Sequence, residues 1–351
     1  MLGISTTNVR VGGFRGKGVD ANAQTIYNRI IADGGVSNLT RLNFFVKGLK
    51  AIYGDLANVP VCYDAHWIGY KLGSGTGATA GQAVAKLYTI SVIQSVTDSD
   101  AQAFIYRVYN AGGELTDTEA NAVDKLVKDM KAANVWDSMK AVYPMVGASA
   151  AACAQNLKSS SFTGTFNGGW TFASTGVTPN GTNAFMNTGL NPVAQGLTSG
   201  DSHLGYYART AATTTDAAEM GNYTDPNLAF VLQSKSGSNV NRFFYTLTSA
   251  AFSPVVSGVV GFMFGSSTGG NTRRDIYKNG ISLANNTTTD TATLGNYNIY
   301  IGAANMAGSN PVSFSNSQCS FSSIGNGLTA IQAASLYTSV QAFQTTLSRQ
   351  V

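Results

Sequence analysis

The stretch from Arg273 to Asn305 constrains the fold more than any other part of the sequence. It opens with RRDIYK, whose side chains fall into two alternating sets, as along a β-strand with two unlike faces. Asn279-Gly280 follows directly, and this pair favours a type I′ turn because both positions need a positive φ. ISLANN then reads as the return strand, and Tyr297–Ile301 predicts a further strand. The stretch therefore predicts antiparallel β-structure built from hairpins.

The segment from Phe162 onward predicts the rest of a two-sheet sandwich. Short β-prone runs recur every 10 to 20 residues or so, with Gly, Asn and Ser between them, which is typical of an antiparallel sandwich. The runs that precede the hairpin stretch are Thr163–Phe172, Ala184–Asn187, Leu204–Arg209, Leu228–Gln233, Arg242–Thr248 and Val255–Phe264. A last helix is predicted from Thr329, with one apolar face made of Ala333, Leu336, Val340, Phe343 and Leu347.

Two helical hairpins are predicted before the sandwich, because apolar residues recur there at helical spacing. The first breaks at Gly34-Gly35 and the second at Gly112-Gly113, so that they form an internal repeat of roughly 80 residues. The second hairpin has the clearer helix start, since Thr116 and Glu119 make a capping box.

The predicted fold class is therefore α+β, with repeated helical hairpins followed by an antiparallel β-sandwich and a C-terminal helix. The YKNG turn and the YIGAAN strand resemble the late strands of concanavalin A-like jelly rolls, and this resemblance implies a concanavalin A-like sandwich. The predicted domains are an N-terminal arm at 1–20, the first helical hairpin with a connector at 21–100, the second helical hairpin at 101–158, and the sandwich with its C-terminal helix at 159–351.

Composition excludes several classes of protein. Only 11% of the 351 residues are charged, while Gly is abundant and 10% are aromatic, which fits a folded chain with polar turns. The net charge of +4 has no basic block behind it, so no nucleic-acid partner is expected. No apolar run is long enough for a membrane span, and no secretory signal is expected. Three widely separated cysteines, Cys62, Cys153 and Cys319, favour buried free thiols over disulfides or zinc.

One segment also resembles a known group of proteins. The order of Ala103–Gly147, then GGWTFASTGVTPNG, then FMNTGLNP and the late YKNG and YIGAAN strands, resembles structural proteins of tailed bacteriophages, crAss-like phages among them. In those proteins a helical hairpin leads into a concanavalin A-like (laminin G-like) domain. The resemblance implies a virion location, and a role as a fibre, neck or tail-attached component. It also implies assembly with other virion subunits and a homo-oligomer.

The motifs of catalysis are weak in this sequence. A glycosidase needs two carboxylates across a cleft, and the Glu-x-Asp-x-Glu pattern of glucanases is absent. Only His66 and His203 could serve a Ser/His/Asp triad, and a hydrogen-bonded structural role is the better interpretation of His203. We therefore expect no enzyme, no cofactor and no metal site. The alternative of a cation held by the acidic group at 216–225 stays open.

Sugar binding is the alternative function, as a carbohydrate-binding or host-receptor-binding adhesin that takes a host surface glycan. Such a site would present an aromatic platform beside amide groups. The alternative is that these rings belong to the core, which is the usual place for aromatic residues in a sandwich. The candidate residues for sugar binding are Trp170, Tyr206, Tyr207, Tyr223 and Tyr297.

Overall fold

The computed structural model describes residues 96–225, 228–235, 258–270, 272–288, 293–308 and 310–351. The chain divides into two compact units, Met1–Ser95 and Val96–Val351, and the described residues belong to the second. The predicted arm at 1–20, the first helical hairpin and the predicted strand Arg242–Thr248 lie outside the described residues.

The elements follow the order that the sequence predicts, with helices first, strands next and a helix at the end. The described helices are α1 (Ser99–Asn110), α2 (Asp117–Ala132), α3 (Ala150–Cys153) and α4 (Ala330–Thr346). The described strands are β1 (Met139–Tyr143), β2 (Thr165–Asn167), β3 (Trp170–Ala173), β4 (Gly176–Pro179), β5 (Phe185–Asn187), β6 (Ser202–Ala208), β7 (Ala217–Asp225), β8 (Leu228–Lys235), β9 (Gly261–Thr268), β10 (Arg273–Lys278), β11 (Ile281–Asn286), β12 (Tyr300–Ile301), β13 (Ala304–Met306), β14 (Asn310–Val312) and β15 (Cys319–Gly325).

Two sheets form a β-sandwich. Among the described residues, sheet A runs β11-β10-β9-β6-β15-β4-β3, and β1 also pairs with β15. Sheet B runs β14-β13-β7-β12-β5-β2, and β8 also pairs with β7. The pairs are antiparallel except β13 with β7. Apolar side chains from both sheets meet in one core that includes Tyr206, Met220 and Ile324. Strands β3 and β2 each end their own sheet, and this position matters for the candidate site.

The hairpin at the centre of the sequence analysis is confirmed. Strands β10 and β11 pair antiparallel, with Lys278 opposite Ile281. The residues between them, Asn279 and Gly280, have φ values of 50° and 74°, as a type I′ turn requires. The Asn279 side chain also accepts a hydrogen bond from the backbone N–H of Phe262 at 2.8 Å, which ties the turn to β9.

The second predicted helical hairpin is also present, as α1 and α2 on either side of Gly112-Gly113. Thr116 and Glu119 form the predicted capping box at the start of α2. A second capping box, Thr329 with Gln332, starts α4 where the sequence predicts it. Helix α2 packs against α4 within the same unit. The chain's own C-terminal helix therefore covers part of this hairpin, on α2.

Three strand predictions are wrong in extent. The run Thr163–Phe172 is two strands in different sheets, because Gly168 turns the chain with a φ of 74°. The run Val255–Phe264 is described only from Gly258, and there the strand is β9, which begins at Gly261 and continues to Thr268. Only the last two residues of Tyr297–Ile301 form a strand, since the earlier ones belong to a loop.

Helix α4 covers the outer face of sheet A. Its residues Leu336, Val340 and Phe343 are buried, and a buried aromatic layer that includes Phe262 and Phe264 lies on the outer face of that sheet. Within the described residues, no helix combines the length and the apolar character needed to cross a membrane.

Candidate functional site

An aromatic cluster occupies the edge of the sandwich where the last strands of the two sheets meet. Phe166 comes from β2 in sheet B, while Trp170 and Phe172 come from β3 in sheet A. The ring of Phe166 meets Trp170 at 5.0 Å between centroids and Phe172 at 4.9 Å, both edge to face. All three rings are partly exposed while they pack on the core. We call these three residues the aromatic edge.

The indole of Trp170 is held in a fixed position. Its Nε1–H donates a hydrogen bond to the backbone carbonyl of Asn167 at 2.9 Å. Its six-membered ring lies against the backbone of Gly302, where an added Cβ would come within 2.9 Å of Cη2. A partly exposed ring that is already fixed loses little conformational entropy when a ligand stacks on it.

Hydrogen bonds join two loops beside Trp170, the 167–169 turn and the 180–184 loop. The Asn180 carbonyl oxygen Oδ1 accepts the backbone N–H groups of Thr182, Asn183 and Ala184 at 3.0 to 3.1 Å. The Asn180 amide nitrogen donates to Asn183 Oδ1 at 2.7 Å. The same Asn183 oxygen accepts the backbone N–H of Gly169 at 3.3 Å, in the turn that joins β2 to β3. These bonds make the 167–169 turn and the 180–184 loop one rigid rim.

The rim presents amide and hydroxyl groups to solvent. Asn180, Thr182 and Asn183 are exposed, and so are Gly168 and Gly169. Within the described residues, the Nδ2 group of Asn183 makes no hydrogen bond to the protein. Amides and hydroxyls next to a half-exposed indole are the groups that bind a polyhydroxylated ring, since its C–H faces are apolar and its edges carry hydroxyls.

The aromatic edge lies on an uncharged stretch of chain. From Ser159 to Gly200 the sequence contains no Asp, Glu, Lys, Arg or His. This stretch supplies β2, β3, β4 and β5 with their connections. These strands and their connections therefore offer a ligand uncharged polar groups and apolar surface.

Two of the five predicted sugar-binding residues are buried. Tyr206 is fully buried in the core, and its hydroxyl donates to the carbonyl of Ser317 at 2.9 Å. Tyr207 faces the other way, and its hydroxyl donates to Gln341 of α4 at 2.9 Å. Neither ring has a free face in this structure, because the alternation along β6 points one into the sandwich and the other under α4.

Tyr223 and Tyr297 lie together, away from the aromatic edge. Tyr223 is half-buried against an apolar cluster on sheet B. Burial raises the pKa of its hydroxyl. Tyr297 packs on Gly308, where a Cβ would come within 2.9 Å of its ring. The amide of Asn222 donates to the carbonyl of Tyr297 at 2.6 Å, and the carbonyl of Tyr223 accepts the Ala307 N–H at 3.0 Å.

Two of the acids that the sequence left open for a cation, Asp216 and Glu219, accept hydrogen bonds from hydroxyl and amide groups of the protein. Asp216 accepts hydrogen bonds from Gln233 at 2.5 Å and from Ser313 at 2.7 Å. Glu219 accepts one from Ser234 and one from Ser315, the latter at 2.7 Å. Within the described residues, no group of three or more His, Cys, Asp and Glu side chains is arranged to hold a metal ion.

Burial governs the titration of the remaining candidate groups. Desolvation raises the pKa of Glu219 to about 7, against the lowering effect of its hydroxyl partners. His203 is fully buried, and its Nδ1 lies 2.6 Å from the carbonyl oxygen of Asn326. Desolvation lowers its pKa to about 4. Cys153 and Cys319 are buried free thiols, as the sequence predicts, whereas Cys62 lies outside the described residues.

Sequence reasoning placed Trp170 among the candidates but missed its neighbours. Phe166 and Phe172 were assigned to the same strand as Trp170, so their meeting across two sheets was not foreseen. The sequence alone does not single out Asn180 or Asn183. The uncharged run from Ser159 to Gly200 is the signal that could have drawn attention to this edge.

Comparison with known proteins gives low-level structural likenesses only. No family model matches the chain, and no curated protein matches it. Domain 4 of AbnA, a GH43 extracellular arabinanase from Geobacillus stearothermophilus solved with arabinotriose, is 15% identical, with a TM-score of 0.42 over 57% of this chain and 98% of that one.

Two further solved structures are similar at the same low level. The binding domain of Botulinum Neurotoxin DC in complex with SialylT is 11% identical, with a TM-score of 0.41 over 59% of this chain and about half, 52%, of the toxin chain. The CBM40 of a Ruminococcus gnavus IT-sialidase is 14% identical, with a TM-score of 0.32 over 48% and 92%. All three TM-scores lie below 0.5, so the function of this chain is argued from its own residues.

Proposed function

We propose that residues 96–351 form a non-enzymatic glycan-binding module of the concanavalin A-like (laminin G-like) class, and that the aromatic edge is its binding surface. The observation that carries this proposal is the position of Trp170. Its indole is fixed by Asn167 and Gly302, half-exposed, and bordered by the rigid rim that Asn180 and Asn183 build. An aromatic platform with fixed amides alongside is the arrangement that sugar binding needs.

The test is a glycan array probed with the full chain and with Trp170→Ala. The wild type should give saturable signals on a defined subset of glycans, and Trp170→Ala should lose at least ten-fold in affinity, because the stacking face is gone. Trp170→Phe should lose less, since a smaller ring remains.

Thr171→Ala is the matched control. Thr171 is exposed and adjacent on the same strand, but it points to the opposite face of sheet A. It should bind as the wild type does. Silence of the folded wild type across a wide panel would overturn the proposal, and so would glycan binding that Trp170→Ala leaves intact.

A second candidate is a structural component of a bacteriophage virion. It is favoured by the element order, in which the α1–α2 hairpin precedes the sandwich and α2 packs on α4. This is the hairpin-then-sandwich order of the phage proteins that the sequence resembles. In this setting the module would be attached to other virion subunits, as a homo-oligomer, and would bind a host surface glycan. The test is mass spectrometry of purified particles, where absence of this chain from the particles would refute the virion role.

A further inference from the structure

We infer that the aromatic edge selects neutral sugars and discriminates against anionic ones such as sialylated or sulfated glycans. This inference rests on the proposed glycan-binding function and specifies the ligand class of the same site. Its basis is the absence of charged residues from Ser159–Gly200, an observation that the proposed function itself does not use.

An anionic sugar needs a cation at its binding site. Recognition of a carboxylate or sulfate in proteins relies on charge-assisted hydrogen bonds, most often from Arg or Lys. Removing an anion from water without such a partner is costly. Apart from Gly302, the strands and loops that the structure places at Trp170 come from Ser159–Gly200, which supplies no cation. An acid group on the ligand would lose hydration at this edge without compensation from these elements.

The cations at the two ends of this stretch are already engaged. The Nζ of Lys158 donates to the backbone carbonyl of Trp136 at 2.9 Å. It also lies over the Trp136 side chain, 4.5 Å from the ring centroid. Arg209 follows β6, and its guanidinium donates to the carbonyl of Arg349 at 2.7 Å and to Gln318 at 2.6 Å. Recruiting either cation to a ligand would break these bonds.

The groups that remain at the edge suit a neutral pyranose. The indole of Trp170 offers an apolar face for the C–H groups of a sugar ring. Asn183 Nδ2 offers N–H donors, and the exposed Thr182 hydroxyl both donates and accepts. A sugar hydroxyl can accept a hydrogen bond from the Asn183 amide, and it can donate to or accept from the Thr182 hydroxyl. Affinity from such contacts depends on stacking and on neutral hydrogen bonds, which salt screens very little.

The test is isothermal titration calorimetry on the full chain with matched neutral and acidic probes. Lactose is compared with 3′-sialyllactose, and α-1,4-linked galactotriose with the α-1,4-linked trimer of galacturonic acid. Each titration is run at low and at high sodium chloride, with Trp170→Ala, Asn183→Ala and the control Thr171→Ala. Thermal melts check that each variant is folded.

The inference predicts binding by at least one neutral probe, at least ten-fold tighter than its acidic counterpart, with a Kd that changes less than two-fold with salt. Trp170→Ala should abolish it, Asn183→Ala should weaken it several-fold, and Thr171→Ala should leave it unchanged. Tighter binding of the acidic probes that still depends on Trp170 would overturn this inference and leave the proposed function standing. Binding of neither class, or binding indifferent to Trp170, would overturn both.

Discussion

At the scale of single residues, Glu219 is a carboxyl group buried inside the sandwich. It is fully buried on β7, and its two oxygens accept hydrogen bonds from Ser234 of β8 and from Ser315. Asp216 makes a parallel pair of bonds, to Gln233 and Ser313. Through these hydrogen bonds, the two acids connect β8 and the 313–315 segment to the start of β7. Burial raises the pKa of Glu219 from 4.5 to about 7, so its charge changes near neutral pH.

Glu219 should make the free energy of unfolding depend on pH. Because its pKa is higher in the folded state, its contribution is fully present below pH 4.5 and is lost as pH rises towards about 7. At 1.36 kcal/mol per pKa unit, the rise corresponds to a loss of about 3 kcal/mol. Glu219→Gln keeps the size and hydrogen-bonding ability of the side chain. It should remove most of this pH dependence, measured by urea unfolding between pH 4.5 and 8.5.

Glu114→Gln provides the control, because Glu114 is exposed. Its pH profile should match that of the wild type. If Glu219→Gln and the wild type lost stability in parallel over this range, another group would govern the titration.

The sequence identified single aromatic residues more easily than their surroundings. The sequence does not distinguish among Trp170, Tyr206 and Tyr207 as sugar-binding candidates. The structure separates them by strand register, since β6 is buried on both faces while β3 is the last strand of its sheet. Which strand lies at an edge depends on pairing between distant segments, and local pattern does not specify that pairing.

At the scale of elements, the turn between β10 and β11 is under two constraints. Gly280 has a φ of 74°, and a Cβ there would come within 2.9 Å of the Tyr337 ring on α4. Gly280→Ala therefore meets both backbone strain and a clash, and should lower the free energy of unfolding by more than about 1 kcal/mol.

Gly112→Ala separates the two effects. Gly112 has a φ of 85° but nothing within 4 Å of an added Cβ, so it meets only the backbone strain. Denaturant unfolding should show a larger loss for Gly280→Ala than for Gly112→Ala. Equal losses of unfolding free energy would mean that Tyr337 of α4 does not restrict the side chain at position 280.

The capping box of α2 gives a second prediction at this scale. Thr116 accepts the Glu119 N–H at 3.2 Å, and Glu119 accepts the Thr116 N–H at 2.9 Å. Thr116→Ala should cost about 0.5–2 kcal/mol of stability through loss of the cap. Thr118→Ala, an exposed change within the same first turn, should be neutral or slightly stabilising. A loss at Thr116 no different from that at Thr118 would show that the cap contributes nothing.

Local signals account for the elements that the sequence predicted well. The Asn279-Gly280 turn, the Thr116–Glu119 capping box and the helix start at Thr329 depend on short motifs with their own chemistry, and all three form as expected. The run Thr163–Phe172 failed because Gly168-Gly169 was passed over as a turn. Its two halves then join different sheets, a choice that depends on long-range partners.

At the scale of the whole molecule, residues 96–351 form a compact unit in which early and late segments contact each other directly. Strand β1 pairs with β15 near the other end of this unit. The buried guanidinium of Arg349 donates to the carbonyls of Pro144, Met145 and Ser320 at 2.8 to 3.1 Å. Desolvation lowers its pKa to about 10, so it stays charged at neutral pH.

A fragment of residues 96–351 should therefore fold by itself in one cooperative transition. It should bind the same glycans as the full chain, since the aromatic edge lies wholly within it. Circular dichroism melts and calorimetric titrations compare the two proteins. A fragment that melts without cooperativity would show that the unit depends on the preceding residues.

The central claim, that a glycan stacks on Trp170, is tested most directly by the indole N–H resonances of the full chain in ¹H–¹⁵N NMR. The chain has three Trp residues, and Trp136 is buried; the Trp170 resonance is assigned by its absence in Trp170→Phe. On titration with the glycan that binds best, we predict a saturable shift of the Trp170 signal, while the Trp136 signal stays in place. A glycan that binds by calorimetry and leaves the Trp170 signal unmoved would contradict the account.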